Sequence, residues 1–284
     1  MKKLIAMLLA LVLVMGLVAC GETAAPESTP AATKESPELT EGTEGTEAAE
    51  LTGDLGLVTD NGKIVIGITD YAPMDYKDEN GEWTGFDAEF ARLFADELGV
   101  ECEFFVIADW GKKFMELETN SIDAVWNGMT ITDEAKANAS VSNPYVINAQ
   151  VVVMKSDKIA QYADVESMKD LTFAVEEGSA GQSVATEKGL KTVSKQDQAG
   201  ALMEVAAGTA DACVIDITMA NAMTGEGTDY ADLAIGISLS SEEYGVAFRK
   251  GSDLTDALNQ FLEELKADGT LQQLAEKYEL TLAE

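Results

Sequence analysis

Short runs rich in Val and Ile alternate with segments of helical periodicity along most of this chain. The segment Phe86–Leu98 has apolar residues three and four positions apart, which places them on one face of a helix that ends at Gly99. Alternation of this kind is typical of α/β lobes built on mainly parallel sheets. We predict further elements as strands at residues 64–69, 101–107, 122–127, 150–154, 171–175, 212–216 and 244–248, and helices at 253–266 and 270–278.

The chain from residue 61 onward has the composition of a folded protein and is long enough for two lobes. A five-residue pattern also recurs at one constant offset. Its members are Met115, Glu116, Asp123, Ala124 and Thr130, which recur as Met203, Glu204, Asp211, Ala212 and Thr218. We predict that residues 61–152 and 247–284 form lobe 1, that residues 153–246 form lobe 2, and that two crossover strands form a hinge. Because ligands bind beyond the carboxyl ends of the strands in open sheets, a cleft is expected between the lobes.

The N-terminal region has a different character. Two lysines precede an apolar run that closes at Cys20, which is typical of a secretory signal and marginal in length for a membrane-spanning helix. The last four residues of that run resemble the lipobox of bacterial lipoproteins, which implies a lipoprotein signal peptide at residues 1–19 and lipid attachment at Cys20. An ordinary signal peptide with a chance cysteine is the alternative. Residues 20–60 are predicted to be a disordered acidic tether.

The chain is strongly acidic and contains no histidine. It has 19 Lys and Arg against 51 Asp and Glu, a formal net charge of -32. Such a charge disfavours nucleic acid as a partner. It is interpreted as a source of solubility, with electrostatic steering of a cationic ligand as the alternative. The lack of histidine removes Ser-His-Asp and Cys-His catalysis and the commonest metal ligand, so we predict no enzymatic activity, no metal and no cofactor.

A series of short motifs follows in order along residues 62–284. The motifs are Tyr71-Ala72-Pro73, Asp78-Glu79-Asn80-Gly81, Gly85-Phe86-Asp87, Ile122-Asp123-Ala124, Gly128-Met129-Thr130-Ile131-Thr132, Pro144-Tyr145, Gly178-Ser179, Asp211-Ala212, Tyr244-Gly245-Val246-Ala247 and Lys266-Ala267-Asp268-Gly269. In this order and spacing the chain resembles the bacterial extracellular solute-binding proteins of family 3, the substrate-binding lipoproteins of polar amino-acid ABC transporters. The resemblance implies an α/β, two-lobed periplasmic-binding-protein-like fold of type II, in which each lobe is a mainly parallel sheet flanked by helices.

The resemblance also implies ligand contacts from both lobes. The implied ligand-binding residues are Asp70, Tyr71, Trp110, Asn127, Gly128, Thr130, Ser179 and Asp216. Carboxylates suit the ammonium group of an amino acid, and backbone N–H groups and hydroxyls suit its carboxylate. Aromatic rings supply a flat wall for its side chain.

Each of these roles has a structural alternative. Asp216 is placed to cap the helix that follows it. Trp110 lies among apolar residues and suits a core position. Tyr71 precedes Ala-Pro, which is typical of a turn. The glycine-rich turn around Ser179 occurs in many α/β proteins that bind nothing there.

One residue departs from the family pattern. Where the family usually has an arginine that grips the ligand carboxylate, this chain has Ala135. Lys136 is adjacent, but one position along a helix rotates a side chain by roughly 100°. Either another donor takes over or the ligand lacks that carboxylate. Asp70, Asp75 and Asp109 near the expected cleft also suggest a cationic ligand.

Taken with the resemblance, the sequence predicts capture of a small polar solute, an amino acid first, and its delivery to the permease subunits of an ABC importer. The protein is expected to be a monomer on the extracytoplasmic face of the bacterial cell membrane, held there by its N-terminal lipid. A ligand-sensing or interaction lipoprotein of the same fold is the first alternative. A secreted dehydratase-like enzyme is the second, which would need Asp, Glu, Lys, Tyr or Cys for proton transfer.

Overall fold

The computed structural model describes residues 53–284 of the chain. Two five-stranded sheets, each flanked by helices, form most of this part. The α-helices are α1 Gly53–Asn61, α2 Phe86–Leu98, α3 Lys113–Glu118, α4 Asp133–Asn138, α5 Ala180–Glu187, α6 Gln198–Ala207, α7 Ile217–Met223, α8 Leu254–Asp268 and α9 Thr270–Lys277. The strands are β1 Lys63–Ile68, β2 Tyr76–Lys77, β3 Trp83–Thr84, β4 Glu101–Val106, β5 Ala124–Val125, β6 Ser140–Val141, β7 Val146–Asn148, β8 Gln150–Lys155, β9 Thr172–Glu176, β10 Lys191–Lys195, β11 Ala212–Asp216, β12 Leu233–Ser238, β13 Glu242–Tyr244 and β14 Ala247–Phe248. Short 3₁₀ helices lie at Trp110–Lys112, Ile159–Gln161 and Glu166–Met168.

Each sheet contains one strand that runs against the others. In the first sheet the order is β4-β1-β5-β14-β6, and β14 is antiparallel to both of its neighbours. In the second the order is β10-β9-β11-β8-β12, and β8 is antiparallel to both of its neighbours. The elements around the first sheet are lobe 1 and those around the second are lobe 2. Each sheet is therefore mainly parallel, as expected from the sequence, with one reversed strand.

The reversed strands are the ones that arrive from the other lobe. β7 precedes β8 and β13 precedes β14, and β7 and β13 pair with each other antiparallel, with Tyr244 opposite Val146. This two-stranded ribbon is the hinge. Because β8 lies wholly in the second sheet, the first crossing comes before Gln150, and the boundary predicted after residue 152 was a few residues too late. A Val-rich strand can pack in the core of either lobe, and only its pairing with neighbouring strands shows to which lobe it belongs.

The predicted disordered tether also ended too late. Residues 53–60 belong to α1, where the side chain of Val58 is buried. The helix is held by charge, since the Asp54 carboxylate lies 3.1 Å from Nε of Arg249 and the Leu55 amide donates to the Asp253 carboxylate at 2.8 Å. These partners are nearly two hundred positions away, so local composition did not reveal them. The predicted signal peptide, the lipid site at Cys20 and the rest of the tether lie outside the described residues.

Lobe 1 packs around an aromatic core. α2 has the predicted bounds and ends at Gly99, which adopts the left-handed conformation with φ of 68°. Its Phe90 ring meets the Trp126 ring edge-on at 4.8 Å between centroids. Phe261 of α8 packs against Phe94 at 5.8 Å. The helix α8 near the C-terminus therefore packs on lobe 1.

The repeated sequence pattern occupies equivalent places in the two sheets. The Asp123 carboxylate accepts the Val65 amide at 2.9 Å, and its own amide donates back to the Val65 carbonyl. The Asp211 carboxylate accepts the Thr172 amide at 2.9 Å, and its amide donates back to the Thr172 carbonyl. Each aspartate thus joins the start of one strand to its parallel neighbour. None of the helices within residues 53–284 is both long and apolar enough to cross a membrane.

Candidate ligand-binding cleft between the lobes

A cavity of about 230 Å³ lies where strand ends of the two sheets face each other. Its walls are Tyr71, Trp110, Lys113, Asn127, Gly128, Met129, Thr130, Thr132, Asp133, Glu134, Ala135, Glu176, Gly178, Ser179, Ala180, Ser183, Gln198 and Asp216. The cavity therefore brings together seven of the eight residues proposed from the sequence. The exception is Asp70, which is exposed and is not part of the wall.

Strand ends position the lobe 1 residues of this wall. Asn127 and Gly128 follow β5 directly, and the Asn127 side chain joins β5 to β1 because its Oδ1 accepts the Thr69 amide at 2.7 Å. Its Nδ2 donates to the Thr69 hydroxyl, also at 2.7 Å. Both polar atoms of the Asn127 side chain thus have partners within lobe 1, and its place in the wall is set by these two bonds.

Only glycine fits at position 128. Its φ is +55°, and a Cβ atom there would lie 2.6 Å from Cε1 of Tyr71. Its amide donates to the buried carboxyl of Asp87 at 2.5 Å, which also accepts the Tyr145 hydroxyl at 2.9 Å. Burial raises the pKa of Asp87 to about 7. The ring of Tyr71 therefore packs directly on the backbone of this turn.

Three hydroxyl groups join the lobes beside the cleft, and one of them belongs to the wall residue Tyr71. The Tyr71 hydroxyl lies 2.5 Å from the Thr218 hydroxyl and 2.5 Å from that of Tyr244, and the last two are 2.9 Å apart. Tyr71 belongs to lobe 1, Thr218 to α7 of lobe 2 and Tyr244 to the hinge strand β13. We call these three residues the hydroxyl cluster. Tyr71 therefore does more than shape a turn, which was the alternative role that the sequence offered for it.

Asp216 is the end of β11 and the centre of a network of amides. Its carboxylate accepts hydrogen bonds from the side chains of Asn148, Gln150 and Gln198. Asn148 and Gln150 also donate to Glu242, at 2.6 Å each. Burial, together with the nearby Glu242 charge, raises the pKa of Asp216 to about 6. Asp216 precedes α7, but its side chain is turned to these amides and does not cap that helix.

The remaining predicted residues also have structural partners. The Ser179 hydroxyl caps α5 by accepting the Gln182 amide at 3.1 Å, and it donates to the Glu176 carbonyl at 2.9 Å. The Thr130 hydroxyl donates to Glu242 at 3.0 Å. Trp110 lines the cavity and is also part of a buried apolar cluster that includes Phe114. Trp110 thus has the core position that the sequence offered as the alternative, and contact of its ring with a ligand stays a prediction.

Four charged residues of the wall were missed from the sequence, of which Glu176 and Lys113 are buried and Asp133 and Glu134 are exposed. Glu176 ends β9 with 4% of its surface exposed, and burial followed by the Asp216 charge raises its pKa to about 8. Lys113 opens α3 and is 6% exposed. In the sequence, Glu176 is a charged residue at the end of a buried parallel strand, which is a place where ligands bind. Lys113 is a lysine between Trp110 and Phe114, which is a weaker sequence signal for a site residue.

The position of the missing arginine does face the cleft. Ala135 is 1% exposed and forms part of the wall, whereas Lys136 is exposed and lies outside it. Asp75 is buried and Asp109 pairs with Lys112 at 2.7 Å, and neither lines the cavity. The acidic character expected from these aspartates is supplied by other residues. The carboxylates of the wall are Asp133, Glu134, Glu176 and Asp216.

Within residues 53–284, no group of three or more Cys, Asp or Glu side chains is arranged to hold a metal ion. The chemistry of the wall is instead that of a recognition site, with carboxylates, amides, one ammonium group and two aromatic rings around a small volume.

Residues 64–281 match the family described as bacterial extracellular solute-binding proteins, family 3. This chain belongs to that family. The match extends from β1 nearly to the C-terminus, so both lobes and the cleft are included. The two-lobed fold is that of the type II periplasmic binding proteins, as the sequence predicted.

Relatives with known roles cover the same region. The L-cystine-binding protein TcyJ of Escherichia coli (strain K12) is 30% identical over 231 residues, which cover 80% of this chain and 86% of that protein. The arginine-binding extracellular protein ArtP of Bacillus subtilis (strain 168) is 31% identical over 226 residues, covering 76% of this chain and 86% of its own.

Solved structures agree with this assignment. Holo ArgBP from T. maritima has a TM-score of 0.69 and 34% identity, covering 74% of this chain and 93% of its own. The ancestral amino acid-binding protein AncCDT-1, described as a precursor of cyclohexadienyl dehydratase, has a TM-score of 0.72 and 33% identity, covering 79% and 98%.

Proposed function

We propose that this protein captures one free amino acid in the cleft and delivers it to the permease subunits of an ABC importer. The observation that carries the proposal is the pair of buried carboxyl groups, Glu176 and Asp216, which end neighbouring strands of lobe 2 and line one small cavity. A volume of about 230 Å³ suits a single small molecule and not a folded polymer. Family membership supports the same conclusion.

The charges of the wall support a ligand that carries an ammonium group. Burial keeps the pKa of Glu176 at about 8 and that of Asp216 at about 6. An ammonium group between them would stabilise the ionised carboxylates and donate charge-assisted hydrogen bonds to them. The exposed carboxylates Asp133 and Glu134 at the wall favour a second positive charge on the ligand side chain. Relatives that bind arginine fit this preference.

The location of the protein is part of the proposal. A lipid on Cys20 would hold the chain at the outer face of the cell membrane, with the acidic segment after it as a tether and the folded region acting as a monomer. This rests on the sequence pattern at the N-terminus. Lipid attachment is tested by expressing the protein with a radioactive fatty acid and measuring its labelling. The variant Cys20→Ala is the control and should stay unlabelled.

The ligand is identified by thermal shift and isothermal titration of the folded region with the standard amino acids, ornithine, cystine and simple amines. At least one amino acid should raise the melting temperature. Asp216→Asn should abolish that shift, whereas Asp229→Asn, an exposed aspartate of the same lobe, should leave it unchanged. If every amino acid leaves the melting temperature of the wild type unaltered, the proposal fails.

Catalysis is the second candidate, because the relative AncCDT-1 is described as the precursor of a dehydratase. Glu176 and Asp216 have different pKa values in one cavity, an arrangement that can serve as acid and base. We place it second because the other relatives named above are binding proteins. Mass spectrometry of the amino acid after long incubation with the protein separates the two, since a binding protein returns it unchanged.

A further inference from the structure

Lys113 holds a buried positive charge at the edge of the cleft. Its side chain is 6% exposed, and its ammonium lies 4.9 Å from the Trp110 ring centre and 5.0 Å from that of Phe114. Nζ donates to the Trp110 carbonyl at 3.3 Å within lobe 1 and to the Gly178 carbonyl at 3.2 Å across the cleft. The ammonium is therefore fixed between the two lobes by backbone groups.

These contacts do not balance its charge. An ammonium has three N–H donors, and the two carbonyls take two of them. Among residues 53–284 no carboxylate lies within ion-pair distance of Lys113. Its pKa is lowered by burial. The carboxylates of Glu134, Glu176 and Asp109 act on this ammonium only from beyond ion-pair distance. A buried ammonium with no carboxylate in direct contact is costly, so a ligand group of negative charge would be favoured at this point.

Lys113 is also the one cationic side chain that lines the cavity within the described part of the chain. The wall position where the family has its arginine is the methyl group of Ala135, which cannot donate a hydrogen bond. Lys136, the lysine beside it, points away from the cavity into solvent.

We propose that Lys113 binds the carboxylate of the amino-acid ligand and takes the place of the arginine absent at position 135. The inference rests on the proposed function and names the specificity-determining residue of its site. Because the same ammonium bonds to Gly178 of lobe 2, a carboxylate held there also joins the two lobes. Lysine offers a point charge and not a bidentate fork, so the carboxylate is held with less orientational restraint.

The test compares each amino acid that binds the wild type with its own carboxamide, which lacks the negative charge. The wild type should bind the acid more tightly than the amide. Lys113→Met keeps the length and apolar stem, and should weaken binding of the acid about ten- to a hundredfold while changing that of the amide little. Lys113→Arg should keep the preference for the acid. Lys112→Met, the exposed neighbour, is the matched control and should behave as the wild type.

A second variant separates recognition from stability. Adding Ala135→Arg to Lys113→Met should restore the preference for the acid, because the arginine returns to the family position. Circular dichroism establishes that each variant is folded. If Lys113→Met weakens acid and amide equally, Lys113 only fastens the lobes and the inference is wrong. If acid binding is unchanged, the inference is wrong while the proposed function stands. If no amino acid binds the wild type, both fall.

Discussion

Gly178→Ala is expected to weaken ligand binding by holding the two lobes apart. Gly178 lies in the turn between β9 and α5, and Gly111 of lobe 1 faces it across the rim of the cleft. A Cβ atom at Gly178 would lie 2.5 Å from Cα of Gly111 and 2.9 Å from its amide nitrogen. Carbon atoms in contact lie about 3.5 to 4.0 Å apart, so the two turns have to separate by about 1 Å or more.

The size of the effect follows from where the overlap arises. Overpacking of this kind costs about 1 to 3 kcal/mol, and the cost falls on the closed arrangement alone. At about 1.4 kcal/mol for each factor of ten, affinity should fall by about five- to 150-fold. At the φ of Gly178, +72°, a residue with a Cβ atom also lowers the free energy of unfolding by about 1 kcal/mol. That second cost is present in open and closed forms alike, so it lowers stability without changing affinity.

Gly189→Ala isolates the backbone cost. Gly189 belongs to the same lobe and has a φ of +71°, but a Cβ atom there meets nothing within 4 Å. Isothermal titration gives the Kd of both variants, and small-angle X-ray scattering gives the decrease in radius of gyration when ligand binds. Both variants should melt at a lower temperature, and only Gly178→Ala should lose affinity and compaction. Equal affinities for the two variants would refute the argument that this contact limits closure.

Three other perturbations follow from the described contacts. The pKa of Glu176 is about 8, and a ligand ammonium favours its ionised form. Ligand affinity should therefore rise with pH up to about pH 8, and binding below that pH should release protons. In titration calorimetry, Glu176→Gln should flatten this pH profile. Arg249→Met leaves two carboxylates without their partner and should lower the free energy of unfolding by about 3 kcal/mol in urea titration, whereas Arg249→Lys should lose less. Tyr244→Phe removes one member of the hydroxyl cluster and should cost about 1 kcal/mol in the same assay, and no change in either stability or Kd would show that the cluster does not join the lobes.

Most of the fold was accessible from the sequence because its signals are local. Helical periodicity identified α2 and α8, and the two equivalent aspartates, Asp123 and Asp211, marked corresponding strand starts in the two sheets. The first lobe boundary and the start of the folded region were misplaced. Both depend on contacts between distant parts of the chain, such as the ion pair of Arg249 with Asp54.

The residues of the candidate site also fall into those that local sequence reveals and those that only distant contacts reveal. Residues with a motif around them, such as Gly128 and Asp216, were placed in the cleft from the sequence. Asp70 was placed there as well, but the structure leaves it outside the wall, since an exposed aspartate beside a wall residue gives the same sequence signal as one within the wall. Glu176 and Lys113 carry no motif. Their importance lies in burial and, for Lys113, in the lack of a directly paired carboxylate within the described chain, which only the packed lobes show.

The reversed strand of the first sheet sets an order of assembly. β6 pairs with β14 alone, and β14 comes from residues near the end of the chain, after the whole of lobe 2. Lobe 2 is continuous in sequence between the two crossings, so it has all its strands before lobe 1 does. A chain that emerges into solvent from its N-terminus would therefore complete lobe 2 first, while the apolar sheet of lobe 1 stays partly uncovered until the last helices arrive.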